Sequence, residues 1–116
     1  MPATSKYVFI ASMDVDPEKE DLFNEVYDQE HVPSLLKVPG VIAVTRFKTE
    51  PAAVMIGGEA RPLTGEGQPT YSAVYEIEGP EVLLSEAWAA AIEEGRWPEQ
   101  VRPYTSNRQH VLRKVV

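Results

Sequence analysis

The chain has 116 residues, with 11 Lys+Arg against 18 Asp+Glu for a formal net charge of -7, 43% hydrophobic residues and no cysteine. That length suits one domain over 1–116 with a core large enough to fold without staples. The acidic balance argues against a nucleic-acid partner, whose phosphates need a basic face, and the missing thiols exclude disulfides, thiolate metal sites and cysteine nucleophiles.

The N-terminal stretch MPATSKYVFIASMD carries one lysine and a short apolar run, Val8–Ala11, too short for a secretory segment. No apolar run approaches a membrane span, so the expectation is a cytoplasmic chain without membrane contact. KYVFIASMDV reads as a strand, with Tyr7, Phe9, Ala11 and Met13 on one face and Val8 and Ile10 on the other. Asp16-Pro17 opens a helix, Asp16 as N-cap and Pro17 at the first helical position. Leu22, Phe23, Val26 and Tyr27 form its apolar stripe, and His31 extends that stripe from Tyr27 by one turn. Pro33 disfavours helical geometry at Val32, so the helix kinks or restarts there and stops at Pro39-Gly40.

VIAVTRFKTE (41–50) is a second strand, with Val41, Ala43, Thr45 and Phe47 opposite Ile42, Val44, Arg46 and Lys48. Residues 51–69, rich in glycine and proline, read mostly as a loop, with the AAVMI segment as a candidate extension of that strand. TYSAVYEIEG (70–79) is a third strand, alternating Tyr71, Ala73, Tyr75 and Ile77 with Ser72, Val74, Glu76 and Glu78. Gly79-Pro80 starts a second helix, on which Leu84, Ala87, Trp88, Ala91 and Ile92 recur at intervals of three and four, closed by Gly95. Residues 96–107 read as a loop, and RQHVLRKVV as a closing strand with His110, Leu112 and Lys114 on one face.

The order β-α-β-β-α-β is that of an α+β ferredoxin-like sandwich: a four-stranded antiparallel sheet with two helices on one face. The other face is then bare, yet Phe9, Ile10, Val41, Ile42 and Val44 give the first two strands apolar residues on both sides. A second copy packed sheet to sheet would cover it; the 51–69 loop folded over the face is the alternative.

DLFNEVYDQEHVPSLLKVPGVIAVTRF (21–47) resembles the dimeric α+β barrel superfamily, most of all its EthD-type branch. The matching positions are His31, Pro33, Leu35, Leu36, Pro39, Gly40 and Arg46: a helix ending in His-x-Pro, a short apolar piece, Pro-Gly, and a strand with a basic residue. The residue-level match spans only that segment, while the element order spans nearly the whole chain. The resemblance implies two protomers closing their sheets into a barrel, with a cavity in each between sheet and helices. Its members include cofactor-free monooxygenases, isomerases, polyketide cyclases, dehydratases and haem enzymes, so the fold selects no reaction.

Within that cavity His31 is the candidate proton-transfer group, Asp28 its orienting partner, and Arg46 the stabiliser of developing negative charge. Each has a plainer reading. His31 can simply end a helix, where its charge suits the dipole; Asp28 can be a solvated surface group; Arg46 can pair with Glu76 or Glu78. Tyr27, Tyr75, Trp97 and Tyr104 are candidate substrate-binding residues, equally readable as core, interface or helix-exit anchors. His110 is a weaker candidate. No metal-ligand spacing, dinucleotide fingerprint or phosphate-binding loop is present, and no cofactor is expected. The reading that results is a small homodimeric enzyme acting by acid–base chemistry on a hydrophobic, aromatic or polyketide-like molecule, by isomerisation, cyclisation or dehydration. The alternatives are a dimer that binds a small ligand or serves assembly without catalysis, and a cofactor-free monooxygenase.

Overall fold

A computed structural model describes residues 6–116. The N-terminal reading and the domain bounds 1–116 begin at residues outside that range.

The main sheet has the order β2-β5-β1-β6, all neighbours antiparallel. Its strands are β1 (Tyr7–Val15), β2 (Val41–Lys48), β5 (Tyr71–Ile77) and β6 (Thr105–Lys114). The helical segments are α1 (Glu20–Val26), α2 (Val32–Leu36) and α3 (Glu86–Ala91). This is the expected ferredoxin-like α+β arrangement. The described residues fill a slab 50 × 39 × 19 Å, thin enough for two layers and no more. No helix is long and apolar enough to cross a membrane among these residues.

β5 shows the alternation most cleanly: Tyr71, Ala73, Tyr75 and Ile77 are buried and the residues between them are half-buried. Register places Phe9 against Tyr75 and Ala11 against Ala73, so these side chains share the helix-facing side. Phe23, Val26, Tyr27, Leu35, Trp88, Trp97 and Val101 meet them from above. The opposite face carries Val8, Ile10 and Val74, with Phe47 and Val111 exposed at its edges and Ser12 bonded to Ser72 at 2.7 Å.

Several expectations are corrected. A register shift between Val41 and Ala43 breaks the simple alternation of β2. Val41 pairs with Ile77, Val44 with Tyr75 and Arg46 with Ala73, which puts Val41 on the helix side with Arg46 and leaves Ile42 exposed. Residues 51–69 are not mainly loop. Two strands, β3 (Ala52–Ile56) and β4 (Glu59–Leu63), make a separate hairpin whose residues are all exposed. Asp16 sits at the N-cap position, but its side chain makes no capping bond. The second helix starts later than expected. Pro80–Leu84 is a tight 3₁₀ turn, Leu84 is exposed, and Ser85 caps α3 by accepting from the Trp88 N–H at 3.1 Å. The 96–107 segment contains two further short helical turns, Trp97–Val101 and Arg102–Tyr104.

Candidate functional site

The helix restarts at Val32 as α2, with Pro33 in its first turn, but Val32 itself keeps helical geometry, φ -61° and ψ -48°. Before it, the stretch Tyr27–His31 widens into an i→i+5 turn, with the Val32 N–H donating to the Tyr27 carbonyl. A widened turn adds a residue to one side of a helix. Tyr27 and His31, four residues apart, are both buried, 2% and 6% exposed. The neighbouring Asp28 is left outside.

His31 stacks on Trp97, with ring centroids 4.3 Å apart, and meets the edge of Tyr27 at 5.0 Å. Its Nδ1 is buried and has no hydrogen-bond partner among the described residues. Burial holds the imidazole pKa down to about 4; the Arg102 charge adds to the depression and Glu93 opposes it. The ring is therefore neutral at pH 7. No partner fixes the tautomer, so Nε2 is free to present either a lone pair or an N–H.

The imidazole lines a cavity of about 390 Å³ between sheet and helices, within the range of small-molecule sites. Its walls are aromatic: Phe9, Tyr27, Tyr75, Trp88 and Trp97. The Tyr27 and Tyr75 hydroxyls are hydrogen-bonded at 2.9 Å. Burial raises both phenol pKa values, most strongly Tyr75, against a smaller opposing effect of the Arg46 charge. Both phenols stay protonated at neutrality, and the pair retains one O–H beyond the bond they share.

Three expectations concerning side-chain partners are corrected. Asp28 does not orient His31; it accepts a hydrogen bond from Arg46 at 2.8 Å and is largely exposed. Arg46 does not pair with Glu76, which strand alternation puts on the opposite face, nor with Glu78; it binds Asp28 and Asn24. Its guanidinium lies over the Tyr27 ring at 4.5 Å, behind the tyrosine pair and outside the cavity lining. Tyr104 does not line the cavity either; it is 37% exposed, with the Lys19 ammonium over its ring. Trp97, Tyr27 and Tyr75 do line it, together with His31.

The lining also holds charged and polar groups: Glu93, Arg102 and Arg108, and His110, the weaker candidate, stacked on Phe9 at 5.8 Å. Arg102 is held by the Glu93 carboxylate and the Ile92 carbonyl. The alternation His110, Leu112, Lys114 was legible, and carrying it back two residues points to Arg108. Nothing local marks Glu93 or Arg102 as facing inward.

No family model matches the chain, and no curated protein matches it in sequence. Solved structures do match in fold. The haem degrader MhuD of Mycobacterium tuberculosis, with two haems bound in its active site, superposes with a TM-score of 0.60 at 18% identity, over 95% of each chain. An EthD family protein of Bacillus halodurans gives 0.60 at 15% identity over 95% of this chain and 99% of its own. A dimeric ferredoxin-like protein of unknown function from Thermobifida fusca gives 0.56 at 12%, over 97% and 93%. The fold these chains share with this one is the ferredoxin-like α+β fold. At these identities the likeness establishes the fold of the chain alone.

MhuD holds haem in its active site, and whether this cavity fits a metal centre follows from its own donors. A histidine ligating through Nε2 normally donates its other N–H to a carboxylate or carbonyl. His31 has no such partner, and no three His, Cys, Asp or Glu side chains gather to hold a metal among the described residues. The described residues therefore offer no protein-only ligand cluster for a metal ion, and a haem held through His31 would leave its Nδ1 without an acceptor.

Proposed function

We propose that this protein is a small acid–base enzyme acting on a hydrophobic, oxygenated aromatic or polyketide-like molecule. The observation that carries the reading is a neutral, buried imidazole with an unpartnered Nδ1 in an aromatic cavity of about 390 Å³. An imidazole used only for packing needs no room beside it, and a polar atom left unpaired costs about 1–3 kcal/mol.

The chemistry follows from the two sets of groups. His31, in the tautomer with hydrogen on Nδ1, takes a proton at Nε2 from the carbon beside a substrate carbonyl. The C–H electron pair moves into the carbonyl to give an enolate, whose oxygen accepts the spare O–H of the Tyr27–Tyr75 pair. Where the enolate is conjugated to a C=C, the imidazolium returns the proton to the far carbon of that dienolate for isomerisation; where a β-hydroxyl is present, the enolate pair forms the Cα=Cβ bond as the C–O bond breaks and the imidazolium protonates the departing hydroxyl to water. Arg46 acts on this step through Tyr27: its charge over the ring favours negative charge on the phenol pair. Asp28 and Asn24 hold the guanidinium there.

The apolar outer face of the sheet supports a second proposal about the same molecule, that two copies pair sheet to sheet. Proton abstraction has a direct assay. In D₂O the protein should speed deuterium entry beside the carbonyl of a probe ketone such as 2-tetralone, followed by NMR. His31→Gln should lose at least 100-fold of that rate, within the usual range for a general base. Exchange unchanged in His31→Gln removes the histidine from the chemistry. Exchange no faster than buffer in the unmodified protein counts against the enzyme reading.

A further inference from the structure

We propose that the cavity selects a planar aromatic ligand carrying a carboxylate or similar anion, and that Arg108 is the residue that selects it. The inference rests on the small-molecule reading above and narrows it to a substrate class.

The lining combines two kinds of group. Flat rings, His31 stacked on Trp97 and the Tyr75–Trp88 pair with centroids 5.5 Å apart, suit a flat ligand. Beside them the lining carries Arg102, Glu93, Arg108 and His110. Arg102 is already neutralised by Glu93. Arg108 makes no hydrogen bond or ion pair among the described residues; its charge acts on His110, whose pKa is lowered by burial first and by Arg108 second. With both histidines neutral, Arg102 and Arg108 against Glu93 leave the lining one positive charge in a chain of net charge -7. An unpaired guanidinium beside apolar walls is the group best suited to grip a planar carboxylate through two parallel hydrogen bonds.

Arg108 is also deliberately placed. The pairing of β1 with β6 shifts register between Ser12 and Asp14, where β6 carries an extra residue. Asn107 lies in that bulge at φ +48°, a left-handed conformation rare for any residue but glycine. Its side-chain amide donates to Asp14 Oδ2 at 3.1 Å and to the Gly67 carbonyl at 3.4 Å. Asp14 Oδ1 in turn accepts from the Thr70 N–H at 2.8 Å. The anchored bulge sets the phase in which Arg108 and His110 both turn toward the cavity.

Calorimetric titration of the intact protein with 2-naphthoate and with its neutral counterpart 2-naphthamide separates the two readings. The acid should bind at least tenfold tighter than the amide, an advantage that falls as salt is raised. Arg108→Gln should bring the acid to the level of the amide while leaving the amide unchanged, and Arg108→Lys should keep part of the advantage. Equal binding of acid and amide, or an advantage that survives Arg108→Gln, overturns the anion selection but leaves a working aromatic cavity. Failure of both probes to bind sinks the small-molecule reading, and this inference with it.

Discussion

His31 carries a consequence for stability that is independent of any substrate. Folding buries it neutral, with its pKa held at about 4 against 6.5 for the free side chain. Between those values the unfolded chain binds a proton that the folded chain does not. Unfolding free energy therefore falls as pH drops from 6.5 to 4 and levels off below, by up to about 3 kcal/mol at 1.36 kcal/mol per pKa unit. Urea denaturation at pH 7 and pH 4.5 should show this loss, and His31→Gln should remove most of the part due to residue 31. Equal pH slopes in the two proteins would mean that the imidazole is accessible to protons in the fold. The residue itself was legible in the sequence, since its stripe with Tyr27 predicted an inward side chain. Its partners were not. Asp28 looked like a neighbour because regular helical spacing was assumed, and the widened turn at Tyr27–His31 turns the two side chains to different surroundings.

At the scale of elements, Pro39-Gly40 links the helical segment to β2 and locks the two halves of the chain together. Gly40 has φ +93°, and a Cβ built there falls 2.4 Å from Val82 Cγ2, in the turn that precedes α3. Its carbonyl accepts the Glu78 N–H at 2.8 Å, so the backbone has little freedom to retreat. Gly40→Ala should cost roughly 2–4 kcal/mol, combining left-handed strain with overpacking against a buried valine. Thermal denaturation should report it, and Gly57→Ala, where nothing lies within 4 Å, should cost less. The four main strands and both helical regions were readable because alternation and helical spacing survive in them. The β3–β4 hairpin was missed although Gly57-Gly58, both at positive φ, form a typical hairpin turn signal. Its strands lack alternation, because neither face is buried against the rest of the chain. The bulges in β2 and β6 leave no comparable mark, since each depends on the pairing partner rather than on the bulged strand alone.

The whole molecule is a thin plate with one covered face. Val8, Ile10 and Val74 occupy the middle of the outer side, flanked by exposed Phe47 and Val111. Helices already cover the other side, so the described residues offer no third layer, and the β3–β4 hairpin, which replaces the 51–69 loop as the alternative cover, is exposed along its whole length. The radius of gyration, 15.6 Å, exceeds the ~13 Å of a compact chain this long. A twofold partner would bury the outer side against its own copy, and its self-complementarity needs no second kind of surface. Sedimentation at micromolar concentration should then give about twice 12.9 kDa. Val74→Lys puts a charge at the centre of that contact and should return the mass to one copy. Pairing also predicts a Tm that rises with protein concentration in the parent and does not in Val74→Lys. A parent protein that sediments as a single copy with a concentration-independent Tm would show that the outer face is tolerated in water. The cavity, which lies on the opposite side of the sheet, would be untouched by that result.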